Sequence, residues 1–183
     1  ILASCLGLTL LASPAFADDV AASASASQGD SSAMGVSATW SQYGQCEWAI
    51  DQGCLVVRPA NGAPSAELDY YYTNAPWSNY EDEILSVRFE GVVKVKKPAY
   101  MFAYLHNAES IDLTGLDTSS AVNMDSMFLA CESLKSLDLS GVDSSCVTSM
   151  QGMFSGCSAL ESVNLADLDT SNVSDMAVMF ARC

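Results

Sequence analysis

The sequence predicts an α/β solenoid in which stacked parallel strands alternate with short helical or irregular returns, preceded by a β-hairpin N-terminal cap. Three observations carry that prediction. Residues 101–183 read as three tandem 26-residue units, beginning at Met101, Met127 and Met153, followed without a gap by the first five residues of a fourth at Met179. Within a unit, apolar and polar residues first alternate and then recur at helical spacing. Ahead of the units, an aromatic and β-branched stretch doubles back around a glycine. A fixed period of this length marks a repeat array, in which each unit buries its apolar face only against its neighbours.

In the unit from Met127, Leu134, Leu137 and Leu139 are apolar while Ser136, Asp138 and Ser140 are small or polar. That is the period of a strand with one buried face, and stacked units then build a parallel sheet. Val147, Met150, Phe154 and Cys157 follow at helical spacing, a face repeated by Val173, Met176, Phe180 and Cys183. Gly152 and Gly156 limit such a helix to one or two turns. Between the two legs, Asp143 with Ser144 and Ser145 supplies turn and N-cap chemistry.

The array begins before its obvious register. Placing Trp77 over Met101 puts Ile84 over Ala108, Val87 and Phe89 over Ile111 and Leu113, and Gly91-Val92 over Gly115-Leu116. Terminal units of a solenoid are atypical because one face meets water or a separate cap, so residues 77–100 are expected to be a degenerate capping repeat. Residues 38–76 read as a β-rich N-terminal cap module, with a strand over 45–50, a turn at Asp51-Gln52-Gly53 and a returning strand over 54–59. Cys46 and Cys54 flank this hairpin and are a candidate disulfide in an exported protein; two small buried thiols are the alternative. Residues 61–76 read as loop, with one apolar cluster at Tyr70-Tyr71-Tyr72 whose rings suit either core packing or a contact surface.

Residues 1–17 (ILASCLGLTLLASPAFA) have the apolar core of a secretory signal and close on Ala15-Phe16-Ala17, the small-x-small pattern cut before Asp18. Without an initiating Met or a basic leader, this signal peptide reads as truncated at its start. Pro14 and the short apolar run weigh against a membrane-spanning helix, so no transmembrane segment is expected in the mature chain. Leu2-Ala3-Ser4-Cys5 also resembles a lipobox, but the apolar run continues past Cys5 where a lipoprotein would turn polar. Residues 18–37, rich in Ala, Ser, Gly and Asp, read as a flexible spacer.

With 22 Asp and Glu against 7 Lys and Arg, a net charge of −15, the chain lacks the basic clusters that nucleic-acid binding requires. Lys94, Lys96 and Lys97 are the single cluster and read as the solvated face of an edge strand. Met127, Met153 and Met179 fill core, since one thioether per coil does not converge on a copper ion. Cys131, Cys157 and Cys183 read as small buried residues where coils meet. Asp117, Asp143 and Asp169 invite a calcium reading, but calcium rolls bring several oxygens to each ion from short glycine-rich turns. Here each Asp precedes a Thr/Ser-Ser pair and is placed to cap the N–H groups that follow. No metal or cofactor is therefore assigned. His106, the only histidine, stands where the next units have Glu132 and Ser158, with no nucleophile, zinc or phosphate motif beside it, so no catalytic residue is assigned.

Units of the form MFxxCxxLxSLDLSGxDTSxVTxM resemble the 26-residue repeat of BspA-like leucine-rich-repeat surface proteins of bacteria. The resemblance covers 101–183 and extends through 46–80, where Cys-x-Trp-x-Ile-Asp and Pro-Trp-x-x-Tyr are similar to the module that often precedes such repeats. The Leu-x-x-Leu-x-Leu core at Leu134, Leu137 and Leu139 agrees with leucine-rich repeats generally. Their Asn ladder is absent, Val142 or Leu168 falling in its place. The resemblance implies a non-enzymatic protein, secreted or held at the cell surface or cell wall, that binds host matrix, host proteins or other cells. If a ligand face exists, strand alternation makes it the outward sheet row Ser110, Asp112, Thr114, Ser136, Asp138, Ser140, Ser162, Asn164 and Ala166, flat and mildly acidic and so suited to a broad protein contact; the alternative is that these are only the residues a solvated strand tolerates. The alternative is a structural spacer displaying a further domain, which could be an enzyme. The full-length protein is expected to be monomeric, and because the last unit stops at Cys183, further repeats are expected after it.

Overall fold

The computed structural model describes residues 39–69 and 75–183. The signal peptide, the lipobox-like motif, the spacer and Tyr70 to Tyr72 lie outside the described residues. The chain is a mostly-β parallel-sheet solenoid of about four turns with almost no helix.

The strands are short. β1 (Ser41–Tyr43), β2 (Cys46–Asp51) and β3 (Cys54–Pro59) open the chain, followed by β4 (Ser65–Glu67), β5 (Ser86–Phe89), β6 (Val92–Lys94), β7 (Ser110–Ile111), β8 (Leu116–Asp117), β9 (Ser136–Asp138) and β10 (Ser162–Asn164). β2 and β3 pair antiparallel around Gln52 and Gly53, whose φ of 48° and 81° make the left-handed turn that suits the twist of a two-residue hairpin. On its other edge β3 pairs parallel with β5, and β5 with β7, so one sheet runs β1-β2-β3-β5-β7 from the hairpin into the coils. β9 and β10 continue the same leg at the 26-residue offset, Leu137 facing Val163. A second leg is built from β4-β6-β8.

The third leg is where an α/β reading fails. Val147, Met150, Phe154 and Cys157 all face inward with no exposed surface, but they do not lie on a helix. Alternate N–H groups donate to the next coil: Met150 to Asp175 O at 2.9 Å, Gly152 to Ala177 O at 2.9 Å, Phe154 to Met179 O at 2.8 Å and Gly156 to Ala181 O at 2.7 Å. The residues between them close local turns, Met153 to Met150 O, Ser155 to Gly152 O and Cys157 to Phe154 O. An α-helix would send every N–H back along its own chain. This pattern instead needs left-handed backbone twice per coil, at Tyr100, Ser126, Gly152 and Val178 and again at Tyr104, Ala130, Gly156 and Arg182. The inward spacing of three and four residues that mimics a helix comes from these successive turns.

Along the axis the Phe side chains stack. Ring centroids are 6.4 Å apart for Trp77 and Phe102, 5.5 Å for Phe102 and Phe128, 5.5 Å for Phe128 and Phe154, and 5.1 Å for Phe154 and Phe180, all within 19° of parallel. Trp48 of β2 meets Trp77 edge-on at 6.4 Å, joining the hairpin to the column. Met127 and Met153 of the methionine ladder are fully buried beside it, Met179 nearly so, and Met101 joins them.

Four finer expectations change. After Gly91 the register slips by one residue: Val93, not Val92, pairs with Leu116, and Val92 is exposed. Residues 65–67 of the expected loop are a strand. The lysine cluster is exposed, but β6, which carries Lys94, lies between β4 and β8 and is not an edge. Cys46 faces Pro59 and Cys54 faces Asp51, so the two cysteines sit at opposite ends of the hairpin and are free thiols. Five residues of extended chain separate their rungs, roughly 16 Å and beyond disulfide reach. Burial pushes the Cys46 thiol up to about 11.

The third leg can be tested by substitution. Gly156 has φ +81°, and a Cβ there would lie 3.3 Å from the Ala130 Cα; Gly156→Ala is expected to cost about 1–2 kcal/mol, and Ala130→Gly to stabilise by about 0.5–1 kcal/mol, in denaturant unfolding. Phe128→Ala, which opens the middle of the column, is expected to cost about 3–5 kcal/mol by the same measurement.

Candidate functional site

Strand alternation puts Ser110, Asp112, Thr114, Ser136, Asp138, Ser140, Ser162 and Asn164 on the outside of the first leg, and all eight are exposed. Between them Ile111, Leu137 and Leu139 point inward and are buried. The row is not a set of free ligating groups. Asp112 accepts from Thr114 N at 2.9 Å, Asp138 from Ser140 N at 2.9 Å, and Asn164 from Ala166 N at 3.1 Å. Asn164 Nδ2 also donates to Asp138 Oδ1 at 2.9 Å, linking two coils across the face. These bonds fix the side chains of Asp112, Asp138 and Asn164, the middle position of the row in each coil.

The second carboxylate ladder works in the same way. Ser119 donates both its N–H (3.0 Å) and its hydroxyl (2.6 Å) to Asp117, Ser145 does so to Asp143 (3.0 and 2.7 Å), and Ser171 N donates to Asp169 at 2.8 Å. The middle residue of each triplet bonds elsewhere. Thr118 Oγ1 donates to Asp143 O and Ser144 Oγ to Asp169 O, both at 2.9 Å from buried positions. An Asp-Thr/Ser-Ser triplet thus closes its own turn with the outer residues and ties to the next coil with the inner one. Ser hydroxyl and amide donors hold Asp117 and Asp143 below the usual carboxylate range, and amide donors first do the same for Asp112, Asp138 and Asp169.

The cysteine ladder also has a bonding role. Cys131, Cys157 and Cys183 donate S–H to Phe102 O, Phe128 O and Phe154 O, each at 3.1 Å, in the preceding coil. His106 Nδ1 lies 3.5 Å from Glu132 Oε1, both side chains partly exposed. Among the described residues, no group of three or more His, Cys, Asp or Glu is placed to hold a metal ion. Among the same residues, no helix is long and apolar enough to cross a membrane.

One concave site escaped the sequence reading. A cavity of about 280 Å³ opens between the Trp77 turn and the first full coil, lined by Trp77, Ser78, Glu81, Tyr100, Met101 and Tyr104. Burial raises the Glu81 carboxyl, with the His106 charge pulling it back and Asp82 adding to the rise. The available signal was in the repeat itself: Tyr100 and Tyr104 occupy positions given to Ser126 and Ala130, then Gly152 and Gly156, in the coils that follow.

Residues 91–183 match the family model described as "Mycoplasma protein of unknown function, DUF285". The match spans the full repeats, a family related to BspA-like repeats in general, and does not make the BspA assignment itself. No curated protein and no solved structure matches the chain.

The five shifted aspartates set a pH dependence. Each has a folded-state pKa below its unfolded value, so its stabilisation is present at neutral pH and is lost as pH falls below about 5 through the carboxylate range. Asn keeps the accepting oxygen, as Asn164 shows, but does not titrate. Replacing Asp117, Asp143 and Asp169 by Asn is expected to leave the fold intact at pH 7 and to flatten melting temperature against pH between about 5 and 3; a curve as steep as that of the unaltered protein would contradict it.

Proposed function

The chain belongs to the DUF285 family, and we propose that it is a non-enzymatic, exported repeat scaffold that binds proteins through the outward face of its stacked coils. The observation that carries this reading is the exposed row from Ser110 to Asn164, small polar residues at a constant 26-residue spacing, of which Asp112, Asp138 and Asn164 are held in place by their own turns. A partner's surface meets these three side chains without the entropy cost of fixing them, and the rest of the row is short-chained and costs little to order. Glu109, Asp112, Asp138 and Glu161, against the one cation Lys135 at the position shared by Glu109 and Glu161, make the face acidic, which favours partners with basic patches and a binding rate that falls with added salt.

The finer parts of the reading rest on the sequence. Residues 1–17 have the pattern of an export signal, which agrees with display on, or release from, the cell surface. Host matrix proteins and host cells are the partners that the BspA-like resemblance suggests, and the hairpin of β2 and β3 acts as the N-terminal cap.

The full chain, immobilised and exposed to purified matrix proteins and to epithelial cells, is expected to bind at low salt. The triple variant Ser110→Arg, Ser136→Arg, Ser162→Arg, with an unchanged circular dichroism spectrum, is expected to lose at least tenfold in affinity. No binding to any of these surfaces, or equal binding by the triple variant, would sink the proposal.

A further inference from the structure

We propose that the cavity between the Trp77 turn and the first full coil is a receptor for a primary alkylammonium group, as carried by a lysine side chain, with Glu81 as counter-ion and the Tyr100 and Tyr104 rings as walls. This site is separate from the outward sheet row. At about 280 Å³ it is at the small end of ligand cavities, which run from roughly 300 to 1,000 Å³, and is of a size for one extended side chain and not for a domain.

The lining selects the sign of the ligand. Among the described residues that line it, Glu81 alone is charged; His106, whose charge acts on Glu81, is not among them. Among the described residues the ion pairs use Glu47, Glu67, Glu90 and Glu132, and Glu81 is in none of them. An ammonium entering beside this partly desolvated carboxylate restores the charge balance that burial removes. The indole N–H of Trp77 is already donated to Met101 O at 3.1 Å, so Trp77 forms the apolar floor and offers no donor to an anion or a sugar hydroxyl. Phenol faces attract cations through the ring quadrupole, and the methylene stem packs against Met101.

The tyrosines are placed at a conformational cost. Tyr100 and Tyr104 have φ of 59° and 65°, backbone that strongly disfavours a residue with a bulky side chain. The coils that follow put Ser126 and Ala130, Gly152 and Gly156, and Val178 and Arg182 at these positions, all at positive φ, so the left-handed backbone belongs to the repeat and the aromatic rings are what the first coil adds. Here the two left-handed turns place Tyr100 and Tyr104 in the lining of the cavity together with Glu81.

Calorimetric titration of the full chain at low salt tests this with Nα-acetyl-lysine methylamide, putrescine and the uncharged isostere Nα-acetyl-norleucine methylamide. Both amines are expected to bind, the tighter one assigning the ammonium to a protein side chain or a free diamine, and the norleucine compound is expected not to. Glu81→Gln, with an unchanged melting temperature, is expected to weaken amine binding roughly tenfold or more, and Tyr104→Leu several-fold. The proposal is overturned if norleucine binds as well as lysine, if neither amine binds, or if folded Glu81→Gln binds like the unaltered protein. None of these variants touches Ser110, Ser136 or Ser162, so failure here and failure of the sheet-face reading are distinguishable.

Discussion

Everything in this fold depends on the hydrogen bonds that the third leg sends from one coil to the next. Tyr100, Phe102 and Tyr104 donate to Asp125, Met127 and Leu129; Met124, Ser126, Phe128 and Ala130 donate to Ser149, Gln151, Met153 and Ser155. The offset is the same each time, so the register of the whole array is fixed there. Given that register, the Phe rings fall 5.1–5.5 Å apart and the thiols reach the Phe carbonyls. The strand leg adds less: no ladder joins β7 to β9. Dispersion and burial in the aromatic column supply the attraction, and the backbone ladder determines where it is applied.

Much of this was legible in the sequence because periodicity reports burial directly. The repeat, the inward Leu134, Leu137 and Leu139, and the outward Ser136, Asp138 and Ser140 all follow from residue spacing, as does the alignment of Val87 with Ile111. The helical return was misjudged because the inward spacing of Val147, Met150, Phe154 and Cys157 is common to a helix and to consecutive tight turns. Gly152 and Gly156 held the distinguishing information, being four residues apart and both at positive φ. The disulfide expectation failed for a geometric reason. Distance along the chain placed Cys46 near Cys54, whereas the turn at Gln52 and Gly53 pairs residues symmetrically about itself and leaves Cys46 opposite Pro59.

The two candidate surfaces differ in how they relate to the repeat. The outward row is the repeat's average, small and polar in every coil, and spacing alone finds it. The cavity exists where the first coil departs from that average, with tyrosines where the later coils have Ser and Ala, Gly and Gly, and Val and Arg, and with the irregular Trp77 turn packed against it. In an array that is otherwise self-similar, a local departure is the more specific feature, because uniform stacking does not require it and partly opposes it.

The direction of the third-leg bonds matters as much as their register. In a parallel β ladder, N–H groups point alternately up and down the stack and their dipoles largely cancel. Here the inter-coil donors from Met150 to Gly156, and their equivalents in the coils before, all point toward the later coils. Their peptide dipoles therefore add along the solenoid axis, with the positive end toward the C-terminal coils, the reverse of the relation between chain direction and dipole in an α-helix. A molecule with a net charge of −15 thus carries an axial polarity, built from uncharged backbone, that makes its two ends electrostatically unlike.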